Sequence, residues 1–129
     1  AECCLQILDE TPALDTIAAY GEKLKAGIKE LLDHRGIIHS FSGHSSMFGV
    51  FFAKSQPVDY RAWKQSDYSF YDRMAYHLHD LGVICEPDSR EPLFICEAHD
   101  QSCLDDTLTA IGQAVDLVLE EQDTARKAS

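Results

Sequence analysis

Apolar residues fall at helical spacing in three separate runs. Leu14, Ile17, Leu24, Ile28, Leu31 and Leu32 recur every three or four positions after Thr11-Pro12, which predicts an N-cap followed by a first-turn proline, and the run closes at His34-Arg35-Gly36. Tyr71, Met74, Ala75, Leu78 and Leu81 form a second helical face, with Ser66 placed to cap it and Gly82 to end it. Leu104, Leu108, Ile111, Val115, Val118 and Leu119 form a third. Asp100 is its cap, and Asp105 and Asp106 stand in its first turn, where the helix dipole favours carboxylates. Ahead of these runs, Glu2 to Leu8 reads as the end of a further helix, so the chain is expected to be a piece of a longer one.

Between the runs the periodicity changes. Ile37 to Phe41 and Met47 to Phe52 are short and rich in β-formers, and the segment between them, Ser42 to Ser46, has turn composition, which predicts neighbouring strands. Val83 to Glu86 and Leu93 to Glu97 read as two more, joined through Pro87-Asp88-Ser89-Arg90-Glu91-Pro92 in a hairpin-like return. The resulting order predicts an α+β fold, a small, mainly antiparallel sheet covered by three helices. Phe48, Val50 and Phe52 alternate onto one face of their strand and Met47, Gly49 and Phe51 onto the other. Both faces are apolar and demand cover, but three helices supply only one. Self-association or an apolar patch is therefore expected, with Phe48 or Phe51 at its centre. One domain is assigned to residues 1–121, followed by a polar, frayed tail over 122–129.

Composition narrows the partners. A chain of 129 residues with 45% hydrophobic and 26% charged content is one ordinary globular domain. Eleven Lys and Arg against 22 Asp and Glu give a net charge of -11, which repels phosphate backbones and anionic lipid, so no nucleic acid and no membrane partner is expected. No apolar run approaches the roughly 20 residues needed to span a bilayer, and AECCLQILDE lacks the features of a signal peptide. A cytoplasmic location is the expectation. Cys3, Cys4, Cys85, Cys96 and Cys103 are odd in number and without C-x-x-C spacing, and are expected to be buried free thiols.

The stretch HSFSGHSSMFGVFF, residues 39–52, is the densest in candidate chemistry. His39 and His44 are in no H-E-x-x-H frame and have no thiol or carboxylate at zinc spacing, so no metal ligand is assigned. His77 and His79, two apart on a helix, point to different faces. Gly43-His44-Ser45-Ser46 does not fit the G-x-S-x-G nucleophile elbow. On residues alone the stretch is a polar turn feeding a strand. A second reading stays open: an engineered or repurposed standalone domain with thiol hydrolase activity, in which Cys3 or Cys4 meets a histidine. Adjacent helical cysteines point about 100° apart, so at most one serves a given pocket. A non-catalytic interaction domain is a third.

Several motifs nevertheless run in a familiar order: Gly43-His44, Ser46-Met47-Phe48-Gly49 and Phe52, then Leu81-Gly82-Val83, Pro87, Ser89, Glu91, Phe94, Ala98-His99, and Asp106-Thr107-Leu108. Across nearly the whole chain they resemble the C-terminal small domain of class III, fold-type I pyridoxal-phosphate aminotransferases, nearest the glutamate-1-semialdehyde 2,1-aminomutase group. The resemblance implies an enzyme acting on a small amino acid or amino-aldehyde, dimeric, with pyridoxal phosphate held by a lysine of the large domain. It implies that this chain forms one wall of the substrate cleft and helps close it, with the large domain, the dimer mate and a small-molecule substrate as partners. Lys23, Lys25, Lys29, Lys54, Lys64 and Lys127 read as solvent-facing, loop or tail residues, and no Gly-rich phosphate cradle is present. No catalytic, cofactor-binding or metal-binding residue is therefore assigned to this chain, and no cofactor is expected on it alone. Glu91 matches a family glutamate implicated in access to the site, and Arg90 has the chemistry to meet a substrate carboxylate, so these two are the substrate-gating candidates. Three positions depart from the family: Ser45 stands where proline is usual, Leu93 where a small or aromatic residue is usual, and Arg90 where the aminomutases often have a hydrophobic one. Aminomutase and aminotransferase both remain open.

Overall fold

The computed structural model describes residues 2–128. In chain order it has α1 (Glu2–Glu10), α2 (Ala13–His34), β1 (Ser40–His44), β2 (Met47–Phe51), α3 (Tyr60–Trp63), α4 (Tyr68–Asp80), β3 (Leu93–Phe94) and α5 (Gln101–Lys127). The three strands form one antiparallel sheet in the order β1-β2-β3. The three predicted amphipathic helices are α2, α4 and α5, and the α+β class is the one observed. Their apolar faces meet over the sheet: Leu24, Ile28 and Leu32 of α2, Phe70, Met74 and Leu78 of α4, and Ile111, Val115 and Val118 of α5 share one core with Phe48, Val50 and Phe52. The helix α5 does not fray at the expected tail but runs on to Lys127. Arg35, just past α2, ties that helix to α5 by a fork onto Asp116, Nε to Oδ1 at 2.7 Å and Nη2 to Oδ2 at 2.8 Å.

Caps shift by a residue where polar residues stand side by side. Asp67, not Ser66, caps α4 by accepting the Phe70 N–H at 3.0 Å, while the Ser66 hydroxyl donates back to the Trp63 carbonyl at 2.6 Å. Thr11 closes α1 and does not open α2, because its hydroxyl donates to the Ile7 carbonyl at 2.7 Å; Pro12 takes the cap position of α2. Asp100 caps α5 as expected, accepting the Cys103 N–H at 2.9 Å. Gly82 carries φ 87° just past α4, the left-handed conformation that ends a helix at little steric cost in glycine.

The sheet is smaller than its β-formers predict. β1 begins at Ser40 and not at Ile37, and pairs with β2 down to His44↔Met47, leaving Ser45 and Ser46 as the turn. A Cβ on Gly21 would lie 1.8 Å from the Ser45 carbonyl oxygen, so the bare backbone of α2 is what lets the hairpin dock on it. Val83 to Glu86 forms no strand. Its backbone is held by the end of α4: the Val83 N–H bonds the Leu78 carbonyl at 2.9 Å and the His79 ring meets the Cys85 carbonyl. β3 therefore pairs with β2, in the register Met47↔Phe94 and Phe48↔Leu93.

One face of β2 is sealed and the other is not. Phe48 is wholly buried, so it cannot centre a surface patch. The open side carries Met47, 48% exposed, and its cross-strand partner Phe94, 65% exposed. The cysteines also differ from expectation: Cys3, Cys4, Cys96 and Cys103 are exposed and Cys85 is half-buried. Cys3 and Cys4 lie on α1, which buries no residue.

Candidate substrate-gating loop

Residues 87–92 connect the end of the α4 segment to β3. Asp88 nucleates the turn: its carbonyl accepts the Glu91 N–H at 3.0 Å and its Oδ1 accepts the Arg90 N–H at 2.9 Å. Its carboxylate also takes the Arg90 guanidinium, with Nε at 2.9 Å from Oδ1 and 3.0 Å from Oδ2 and Nη2 on Oδ2. That pairing, the guanidinium hydrogen bond above all, holds the Asp88 carboxyl below its ordinary pKa. Pro92 then leads into β3.

The turn is fastened to the helices through aromatic side chains. Trp63 of α3 stacks with Tyr60, at 5.3 Å between ring centroids, and with Tyr68, at 4.8 Å. Its indole N–H donates to the Ser89 hydroxyl at 2.8 Å, and Ser89 is buried. The Arg90 guanidinium carbon lies 5.0 Å from the Trp63 ring centroid, so the same indole carries the loop's one buried hydroxyl and its cation. Asp72 on α4 feels this cluster. Partial burial raises its pKa, and the Asp88 charge raises it further against the opposing pull of Arg90.

The two gating candidates are adjacent in sequence but differ in circumstance. Arg90 is engaged by Asp88 and stacked on Trp63. Glu91 is exposed, and its side chain makes no hydrogen bond or ion pair with the described residues, acting on Arg90 only through its charge. The anchors Trp63, Ser89 and Asp88 were not assigned a role from sequence. The D-x-R spacing of the Asp88 turn is a local signal that was available; the link from Trp63 to Ser89 spans 26 positions and leaves no local pattern.

The other candidate chemistry disperses. His39 bonds the Ile37 carbonyl at 2.9 Å, while His44 bonds the Ser46 hydroxyl at 3.1 Å and so braces the hairpin turn. Among the described residues no group of three or more His, Cys, Asp and Glu is placed to hold a metal. Cys3 and Cys4 meet no histidine among the described residues. The Cys–His approach that does occur is Cys96 Sγ to His99 Nε2 at 3.9 Å. His99 Nδ1 already accepts the Cys96 N–H at 3.1 Å, which puts the ring proton on Nε2 and leaves no base facing the thiol. No described helix is long and apolar enough to cross a membrane.

No protein-family model matches the chain. A glutamate-1-semialdehyde 2,1-aminomutase from Thermus thermophilus is 31% identical over 112 residues, 86% of this chain and 26% of that protein. One from Aquifex aeolicus is 34% identical over 94 residues, 73% of this chain and 22% of that protein. The chain thus spans about a quarter of these relatives. Among solved structures, the PLP internal aldimine form of the Sphingopyxis sp. MTA144 FumI protein matches with a TM-score of 0.77 and 27% identity, over 92% of this chain and 26% of that one. An omega-transaminase from Sphaerobacter thermophilus, at 22% identity and a TM-score of 0.71 over 81% of this chain and 24% of that one, shares the fold.

Proposed function

Since the chain belongs to the class III, fold-type I pyridoxal-phosphate enzymes, as the portion corresponding to their small domain, we propose that it closes the substrate cleft of an aminotransferase or aminomutase. The substrate would be a small amino acid or amino-aldehyde. In that role Glu91 is the gating carboxylate, and Arg90 holds the loop that presents it. The observation that carries this assignment is the contrast on one turn: Glu91 is exposed and unpaired, whereas Arg90 is committed to Asp88 and Trp63. A carboxylate free of local partners can exchange them with an incoming ammonium or carboxylate-bearing substrate by attraction or repulsion; one locked in an ion pair cannot do so without breaking the pair.

The side chains of this chain do not fit a pyridoxal-phosphate site. Lys23, Lys29, Lys54, Lys64 and Lys127 are exposed, and Lys25, half-buried, lies over the Phe41 and Phe48 rings. None stands in the buried, water-excluded setting that covalent work at a lysine requires. The cofactor, which supplies an electron sink for bonds at the substrate α-carbon, therefore sits on the rest of the enzyme. We place the large domain or the dimer mate against the open sheet face at Met47 and Phe94, whose exposed apolar surface is what an interface would cover.

The test is Glu91→Gln in the whole enzyme, a change that keeps shape and removes charge. Gating predicts a changed KM or an altered rate in one half-reaction with folding intact, and Arg90→Lys, which weakens the fork onto Asp88, should shift the same parameter less. Identical kinetics for Glu91→Gln in both half-reactions return Glu91 to a solvated loop residue.

A further inference from the structure

A cavity of ≈ 360 Å³ lies between the helical layer and the 83–95 segment. Leu24 of α2, Val50 of β2, Met74 and Leu78 of α4, and Ile111 of α5 make its apolar wall. The space is a cleft partly open to solvent and not a sealed void, with the exposed side chains of Ile84 and Phe94 at its mouth. The space found here falls in the range of small-molecule sites, roughly 300–1,000 Å³. It exists because residues 83–86 attach to the end of α4 and form no strand on the sheet, so they roof the core without filling it.

Tyr71 supplies the second observation. It lines the cavity and is 2% exposed, yet its hydroxyl makes no hydrogen bond with any described residue. Among the described residues the one side-chain polar atom sealed from solvent without a partner is Ser40 Oγ, so the Tyr71 hydroxyl keeps some contact with solvent and is a free donor in the cavity. Burial, and after it the neighbouring Cys85, Asp88, Asp72 and Glu86, push its pKa up, so it remains a donor at every working pH. Glu86 stands on the cavity rim of a chain with net charge -11, which disfavours anions.

We propose that this cavity is a binding site for a small, uncharged, largely apolar molecule bearing one carbonyl or ether acceptor, which the Tyr71 hydroxyl receives. The site is independent of the gating role of Glu91. Acetophenone and ethylbenzene, similar in size and differing in the acceptor, are the probes. Titrated into the chain and followed by methyl NMR, acetophenone is expected to give saturable one-to-one shifts at Val50, Met74, Leu78 and Ile111. It should bind about fivefold tighter than ethylbenzene, the net effect of one hydrogen bond. Tyr71→Phe should abolish that preference and leave ethylbenzene binding unchanged, and Val83→Phe, which narrows the cavity from its rim, should weaken both probes. Four results overturn the proposal: no saturable shift in the wild-type chain, shifts confined to the surface residues Ile84 and Phe94, equal loss of both probes in Tyr71→Phe, or lining shifts that follow protein concentration without probe, which would mean that a second copy fills the space.

Discussion

Phe48→Ala and Phe94→Ala probe the two faces of one small sheet. Phe48 is completely buried, and its ring meets Phe41 edge-on at 6.1 Å between centroids while Lys25 Nζ lies 5.7 Å from its centroid. Truncation removes the transfer energy of a full aromatic ring, leaves a cavity in the shared core, and breaks the aromatic pair. The expected loss is about 3–5 kcal/mol. A stability of roughly 0.05–0.15 kcal/mol per residue puts a chain this size near ~6–19 kcal/mol, so the variant folds but loses a large share of its margin. With a urea m-value of about 1–3 kcal/mol/M, the midpoint should fall by roughly 2 M. Phe94 is one strand away but 65% exposed, and its truncation should stay within about 1 kcal/mol. Urea melts of both variants, followed by circular dichroism, measure the contrast. If Phe94→Ala costs as much as Phe48→Ala, the open face is sealed in solution and the one-sided core described above is wrong.

Ser89→Ala leaves the Trp63 indole N–H without its acceptor and should cost about 1–2 kcal/mol; Trp63 is the sole tryptophan, so its emission should shift before the global melt, and an unchanged spectrum and midpoint would deny the anchor. Asp72→Asn tests the sign of the local electrostatics. Because burial and Asp88 raise the folded pKa of Asp72 above its unfolded value, its ionised form opposes folding at neutral pH and that penalty fades as pH falls toward the unfolded value near ~4. The variant should therefore be more stable than wild type at pH 7 with the gain shrinking in acid, and a pH-independent gain would contradict the assignment. Thiol titration with an aromatic disulfide should find Cys3, Cys4, Cys96 and Cys103 fast, and Cys85, whose pKa burial raises, slow until the chain is denatured; five equal rates would place Cys85 elsewhere.

The long helices were legible because each must bury one stripe, and a stripe repeats every three or four residues whatever the tertiary detail. The burial of Phe48, Val50 and Phe52 on one side followed from strand alternation. What alternation could not say was which side the helices would take, and so Phe48 was a candidate for a patch that in fact centres on Met47 and Phe94. Val83-Ile84-Cys85 reads as a strand on side-chain preference, but no propensity registers that the Val83 N–H is claimed by the Leu78 carbonyl and the Cys85 carbonyl by the His79 ring at the end of α4. Thr11 and Ser66 show the same limit at the scale of one residue: a hydroxyl can close the preceding helix as readily as open the next. The cysteines misled because a thiol is counted with the hydrophobes, whereas four of these sit on outward positions of helices and turns. Gating candidates came from ordered motifs, and the anchors that distinguish Glu91 from Arg90 came only with the long-range contacts.

Those anchors bear on how a gate here would move. A loop carboxylate can act by swinging with its loop or by changing rotamer on a fixed one. Opening the 87–92 turn would break the Trp63–Ser89 hydrogen bond, expose a buried hydroxyl, and lift the Arg90–Asp88 fork off the indole. Glu91 faces no comparable restraint, since only its backbone N–H is engaged. Its side chain is free to rotate on the picosecond-to-nanosecond scale of exposed residues, whereas a loop opening belongs to slower collective motion. On the proposed gating role, the arrangement favours a fixed turn carrying a mobile carboxylate, and the sensitivity of such a gate would lie in charge and not in loop length. Loosening the turn by Ser89→Ala should then disturb stability more than it disturbs substrate affinity, while Glu91→Gln should do the reverse, and a whole enzyme in which both changes act alike would point to hinge motion of the loop instead.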